Sequence, residues 1–239
     1  MTLRFLTYNV HGCVGRSGRY DADAICRVIE ASDADVVALQ EVVDDRRQRV
    51  RFLETLRDAG YQTVHHAQTL EKPEGAYGIA LLSRIPPTEV QEIELGGREP
   101  RKALRFHIEH PAGSLDVCCT HFGLAGAERW KQIEKLSNIL ATADDRHRDA
   151  LQVLMGDLNE WRPMTRLMRT LRQHFSEIST IPTFPSRRPL LALDRVAIRG
   201  HYQSTVFQRI DSAPAANASD HRPLLAMVQL NPAHVSPPT

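Results

Sequence analysis

A chain of 239 residues with 42% apolar and 25% charged content has the make-up of an ordinary soluble globular protein and can bury one large core. A formal net charge of +1 excludes the broad electrostatic footprint of a non-specific DNA binder, though not a local basic patch. Four scattered cysteines, Cys13, Cys26, Cys118 and Cys119, fit neither a disulfide framework nor a metal-ligand spacing, and they read as buried thiols in a reducing compartment.

Residues 3–10 read as a first strand that breaks at His11-Gly12-Cys13. Asp21 is suited to cap a helix whose Ile25, Val28 and Ile29 share one face, and residues 36–39 form a short buried strand ending at Gln40-Glu41. Phe52, Leu53 and Leu56 mark a second helix stopped by Gly60, while the charge run 44–51 reads as a solvated helix face. Strands follow at 79–82, 90–95, 104–108 and 115–120, separated by Pro, Gly or charged turns. A helix is expected over 127–143, a buried strand over 151–155, a helix over 164–173 and a Pro-rich loop over 181–189. Strands at 193–198, 203–208 and 224–230 close the chain.

No Gly- or Ser-rich linker divides the sequence, so residues 1–231 are expected to form one domain and residues 232–239 a frayed tail. The first residues lack the apolar stretch of a signal peptide, and no run of 18 apolar residues occurs. The expectation is a soluble, cytoplasmic protein. Peripheral contact with lipid stays open, but no strongly basic amphipathic helix recommends it.

Several apolar strands end in polar residues suited to metals and phosphates: Asn9 and His11, Glu41, His121, Asp157 and Asn159, Asp194, and Asp220-His221. Hydrolysing a phosphodiester needs such parts. A hard cation takes one or two carboxylates and keeps several waters, which makes Glu41 the first ligand and Asp220 and Asn9 the next. Asp157 is suited to accept a proton from an attacking water, and Asn159, His121 and His221 to donate to phosphoryl oxygens. Asp194 can orient His221 and fix its tautomer. Each residue also has an ordinary reading: Gly156 to Asn159 as a turn, Glu41 as a solvated charge, Asp194 as a partner for a neighbouring arginine.

Taken in order, TYNVHG at 7–12, LQEV at 39–42, YGIALLSR at 77–84, THFG at 120–123, GDLNEW at 156–161, LDRV at 193–196 and SDHRPL at 219–224 resemble the endonuclease/exonuclease/phosphatase superfamily, which shares the deoxyribonuclease-I fold. The resemblance runs the length of the chain, and residues 183–189 resemble a branch of short bacterial members. It implies a four-layer α/β/β/α sandwich of two packed mixed sheets flanked by helices, with the site at one end. It places Asn9, Glu41 and Asp220 at a Mg²⁺ or Mn²⁺ site, Asp157 and Asn159 at the water and phosphate, and His221 paired with Asp194 at the scissile group. It leaves open whether Asp157 or His221 is the base.

His121 stands where abasic-site endonucleases of the superfamily carry tyrosine, and where deoxyribonucleases, sphingomyelinases and phosphoinositide phosphatases carry histidine. The implied function is a metal-dependent phosphoesterase that hydrolyses a phosphodiester of a lipid head group or small molecule by direct water attack. The alternative is a nuclease acting on DNA or RNA, which makes nucleic acid the less favoured partner. His11 and Arg105 are expected to contact substrate, and the basic group Arg101, Lys102 and Arg105 also reads as surface or salt-bridge residues. Arg187 and Arg188 fit either a second phosphate or solvent. Arg195, where many relatives carry an aromatic or histidine, is the main departure from the pattern.

Overall fold

In the computed structural model, which describes residues 1–44, 52–141 and 150–230, the chain alternates between strands and helices. It begins with β1 (Thr2–Asn9), a short 3-10 turn at His11–Cys13, α1 (Ala22–Ser32), β2 (Val36–Asp44), α2 (Phe52–Asp58), β3 (Thr63–Lys72) and β4 (Gly75–Ser83). The middle runs β5 (Glu89–Glu94), β6 (Lys102–Ile108), β7 (Leu115–His121), α3 (Gly126–Ala141) and β8 (Leu151–Asp157). Then come α4 (Arg166–His174), β9 (Glu177–Ile178), β10 (Asp194–Arg199), β11 (Ser204–Arg209), α5 (Ala213–Ala218) and β12 (Leu224–Gln229).

The strands form two six-stranded sheets, ordered β11-β12-β1-β2-β4-β3 and β5-β6-β7-β8-β10-β9. Each contains one central parallel pair, β1 with β2 and β7 with β8, and is otherwise antiparallel. A parallel pair needs a crossover, and α1 and α3 supply it. Strand alternation then sorts the apolar residues into three layers. Phe5, Ala38, Phe106, Val117, Cys119 and Val153 fill the space between the sheets. Leu6, Tyr8, Val37 and Leu39 face outward beneath Ile25 and Ile29 of α1 and Leu56 of α2. Cys118, Leu154 and Ala197 lie beneath Ile133 and Leu136 of α3 and Leu167 and Leu171 of α4. The result is the α/β/β/α sandwich, with all four cysteines buried as free thiols and Cys118 and Cys119 on opposite faces.

Asp21 caps α1 as its position foretells, its Oδ1 accepting from the Ala24 amide at 2.8 Å. Four elements depart from the sequence expectation. The strand at 36–39 extends to Asp44 through a bulge between Leu39 and Val42, because its pairing with β4 resumes after the irregularity. β3 carries no clear strand signal, since as a sheet edge it is half-exposed and reads HHAQTLEK over residues 65–72, without a clean apolar alternation. The short β9 and the Ala-rich α5 likewise lack a periodic apolar signal. The charge run beyond Asp44, the end of the 127–143 helix after Ala141, and the tail lie outside the described residues. Among the described residues no helix is long and apolar enough to cross a membrane.

Candidate active site

The two parallel pairs, β1 with β2 and β7 with β8, deliver side chains that meet at one edge of the sandwich. Asp157 is the hub. Its Oδ2 accepts from Asn9 Nδ2 at 3.1 Å across the two sheets, and His121 Nε2 and His221 Nε2 lie 3.7 and 3.8 Å from the same oxygen. Its Oδ1 accepts from the Asn159 amide at 2.8 Å. Gly156 precedes it with a φ of 150°, and a Cβ there would sit 1.9 Å from the Thr120 carbonyl oxygen. The glycine is therefore required by the close approach of β7, not by a sharp exit from the strand, which continues through Asp157. Asn159 adopts a φ of 51°, and its Nδ2 donates to the Phe122 carbonyl at 2.9 Å, tying together the loops after β7 and β8.

The two histidines facing Asp157 carry opposite partners on their other nitrogen. His221 Nδ1 donates to Asp194 Oδ2 at 2.8 Å, and Thr183 Oγ1 donates to the same oxygen. Burial alone would lower the His221 pKa, but the Asp194 charge and hydrogen bond, with Asp157 and Asp220 behind them, push it up to about 10. His221 is an imidazolium at neutral pH. His121 Nδ1 instead lies 3.0 Å from the Arg101 guanidinium. A guanidinium has no acceptor, so Nδ1 must accept and the ring proton must sit on Nε2, toward Asp157. Burial, partly opposed by Asp157 and reinforced by Arg101, pushes the His121 pKa down to about 4. His121 is thus a neutral donor. Burial and the neighbouring Asp194 raise the Asp157 pKa above its ordinary value.

Arg195 does not disturb the Asp194–His221 pair. Adjacent strand residues face opposite ways, and its guanidinium turns to the Ser179 and Glu160 carbonyls at 2.6 and 3.2 Å. Ser219 anchors the loop that carries His221, donating to the Asn9 carbonyl at 2.7 Å and accepting from the His221 amide at 3.2 Å.

The oxygen-rich half of the site centres on Glu41. It sits in the β2 bulge with a φ of 56°, a strained value for a non-glycine residue, and this turns its carboxylate toward the site edge. Glu41 Oε1 accepts from Asn9 Nδ2 at 3.0 Å, while Glu41 Oε2 and Asp220 Oδ1 flank His11 Nδ1 at 3.5 and 3.7 Å. Burial would raise the Glu41 pKa, but hydrogen bonds from His11 and Asn9 hold it at about 2. The hydrogen bond to Glu41, against the opposing effect of burial, raises His11.

Two partly exposed carboxylates on either side of His11 suit a hard divalent cation that keeps part of its water shell. The trio Asp157, Asp194 and His221, whose donor atoms lie within 4.8 Å of one another, suits one less well. Its His221 Nδ1 and Asp194 Oδ2 already satisfy each other, and all three side chains are buried.

Of the ten residues expected at the site, the structure brings nine to this edge: Asn9, His11, Glu41, His121, Asp157, Asn159, Asp194, Asp220 and His221. Arg105 is the correction. Its Nε and a terminal nitrogen bind both oxygens of buried Asp116 at 2.7 and 2.6 Å, so its charge is consumed in a structural fork within β6, four residues beyond Arg101. Arg101, Thr183 and Ser219 were not foreseen in the roles they take. The basic group at 101–105 was visible, but which arginine would reach His121 depended on strand register. Arg187 and Arg188 are exposed.

Residues 6–221 match the family model described as Endonuclease/Exonuclease/phosphatase family. The uncharacterized protein YbhP of Escherichia coli K12 is 27% identical over 256 residues, covering 96% of this chain and 97% of that protein. An endonuclease/exonuclease/phosphatase from Beutenbergia cavernae superposes with a TM-score of 0.76 at 22% identity, over 98% of this chain and 73% of its own. D. rerio TDP2, solved in complex with a single-strand DNA product, superposes with a TM-score of 0.70 at 15% identity, over 95% of this chain and 99% of its own.

Proposed function

Because the chain belongs to the endonuclease/exonuclease/phosphatase family, we propose that it is a divalent-metal-dependent phosphoesterase, hydrolysing a phosphodiester of a lipid head group or small molecule by direct attack of water. The observation that supports this is the convergence on Asp157 Oδ2, where two histidine Nε2 atoms stop at 3.7 and 3.8 Å. Those separations are too long for direct hydrogen bonds and suit groups that bind a water or a phosphoryl oxygen between them.

In this reading Asp157, with its raised pKa, takes the proton of the attacking water. His221, with its raised pKa, is suited to donate rather than to act as the base. It donates to the phosphate or the leaving oxygen, and Asp194 and Thr183 hold its ring in place. His121 donates through Nε2–H as a neutral group, and the second amide hydrogen of Asn159 is available to a non-bridging oxygen. Glu41 and Asp220, with the remaining lone pair of Asn9 Oδ1, would hold Mg²⁺ or Mn²⁺. When bound, the ion supplies charge neutralisation on the phosphoryl oxygens and the leaving group. Residues 1–231 would act as one domain, in the reducing cytoplasm that four buried free thiols favour.

A metal-dependent nuclease is the second reading, favoured by one feature. The indole of Trp161 is exposed two residues beyond Asn159 and offers a surface on which a base can stack. The deciding experiment incubates purified protein and Mg²⁺ or Mn²⁺ with phospholipids, model phosphodiesters, plasmid DNA and RNA, with Asp157→Asn and His221→Ala alongside. Hydrolysis of lipid or small diesters that vanishes in both variants is expected. Strong plasmid nicking that vanishes in both moves the protein to the second reading, and turnover that persists in excess EDTA removes the metal from the proposal.

A further inference from the structure

On the face of the site edge formed by the loops after β7 and β8, the structure displays apolar and cationic side chains that the chemistry does not use. Leu124 follows His121 by three residues and is 73% exposed, while Trp161 and Met164, beyond Asn159, are 52% and 76% exposed. These loops are fixed to each other. Asn159 Nδ2 binds the Phe122 carbonyl, and Arg129 donates to both the Leu124 carbonyl and buried Glu160, the latter at 2.9 Å. Arg162 closes on the same carboxylate at 3.0 Å. Glu160 is thereby drawn inward and neutralised, and its neighbour Trp161 is held outward.

The segment continues into α4. Residues 161–176 contain Arg162, Arg166, Arg169, Arg172 and His174 and no Asp or Glu. Leu167, Met168 and Leu171 are buried, so Arg166, Arg169 and Arg172, spaced by three, share the exposed face. Arg166 stacks on Trp130 at 4.8 Å and Arg172 donates to the Pro163 carbonyl at 2.8 Å. Neither contact cancels a charge. The expectation of no strongly basic amphipathic helix therefore fails for α4, whose nine residues are too few to stand out as a periodic signal.

We infer that this rim, with Leu124, Trp161 and Met164 in front and Arg162, Arg166 and Arg169 behind, docks the site onto a bilayer surface containing anionic phospholipid. Guanidinium groups attract a negative leaflet, and an exposed indole beside aliphatic side chains suits the boundary between head groups and acyl chains. A nucleic acid would use the cations and the indole but gains little from an exposed leucine and methionine. The inference rests on the lipid-head-group reading above and supplies its reason: a head-group diester would be met in the plane of the membrane.

The test needs no turnover, so it stands or falls separately from the catalytic proposal. Full-length protein is sedimented with vesicles of phosphatidylcholine alone or mixed with phosphatidylglycerol. In a Trp130→Phe background Trp161 is the remaining indole of the two in the chain, and its fluorescence is followed. Binding to the mixed vesicles with a blue shift of Trp161 is expected, with little binding to phosphatidylcholine. Arg166→Glu/Arg169→Glu and Leu124→Ser/Trp161→Ser/Met164→Ser each weaken partition at least about tenfold, since each cation near an anionic leaflet contributes roughly a fivefold factor. Arg199→Glu, an exposed site at the far end of β10, leaves it unchanged. Absent binding to the mixed vesicles overturns the inference, as does binding that neither rim variant weakens. Retention of the protein on a single-stranded oligonucleotide but not on vesicles reassigns the rim to nucleic acid.

Discussion

The two sheets are built on one plan and put it to different uses. Each has a central parallel pair joined by a helix, and each pair delivers polar residues at its carboxyl ends: Asn9 and Glu41 from the first sheet, His121 and Asp157 from the second. The first half is open, with the side chains of Glu41 and Asp220 at 26% and 40% exposure. The second is dry, with that of Asp157 at 2%. Water access suits a cation that keeps part of its hydration shell, and exclusion of water strengthens hydrogen bonds and moves pKa values. Asn9, bound to both Glu41 and Asp157, couples the halves through one amide.

If that division holds, damage to each half should read out differently. The largest effect is expected in the dry half, where Asp157→Asn and His221→Ala lower kcat by at least about two to three orders of magnitude. The Mg²⁺ concentration for half-activation should barely move in either. Glu41→Gln should do the reverse, raising that concentration at least about tenfold. Metal titrations of kcat on a model diester separate the two patterns, and an equal metal response in both halves would dissolve the distinction.

Arg101→Met should lower kcat roughly tenfold to a hundredfold by releasing the His121 tautomer, with Arg101→Lys restoring most of it. In a His121→Gln background the same change should add little, which a double-mutant cycle checks. Loss of equal size in both backgrounds would mean that Arg101 acts elsewhere.

The dry half should also shape stability against pH. His121 is held neutral in the fold with a pKa of about 4, below its ordinary 6.5. As pH falls through that window the unfolded chain takes up a proton that the folded chain refuses, so stability drops by up to roughly 1–3 kcal/mol. His221 has the opposite sign. Its pKa is raised to about 10, so the stabilisation from its charge is complete below pH 6.5 and is lost as pH rises through 10. Urea unfolding across this range should show both slopes, the acid one flattened in His121→Gln and the alkaline one in His221→Gln. The smallest effect on activity belongs to Arg105→Met, within about twofold, although removing the guanidinium from buried Asp116, which keeps only His107 at 3.9 Å, should lower stability by about 3–5 kcal/mol.

Much of this site is legible in the sequence because a buried strand that ends in a polar residue is a local pattern. LQVLMGDLN shows it, as do VVALQE and the runs into His121 and Asp194. The Asp194–His221 pairing was foreseen from residue types alone, and the 2.8 Å contact agrees with it. What escaped depends on register and neighbours. The Glu41 bulge appears only when β2 is laid against β4. Arg101 and Arg105 read alike on paper, and only their positions, one just before β6 and the other within it, send one to His121 and the other to Asp116. Arg162, Arg166, Arg169 and Arg172 were individually visible, yet their common exposed face needed the helix and its buried side.

The sequence by itself determined which side chains are present for phosphate chemistry, and that apolar runs would carry them to strand ends, because hydrophobic periodicity is written locally. The tertiary structure decided their states: one histidine neutral and one charged, one carboxylate half wet and the other dry, one arginine positioning and one structural. Those states follow from which partner each atom meets and how much water is left around it, and both are set only when the two sheets close.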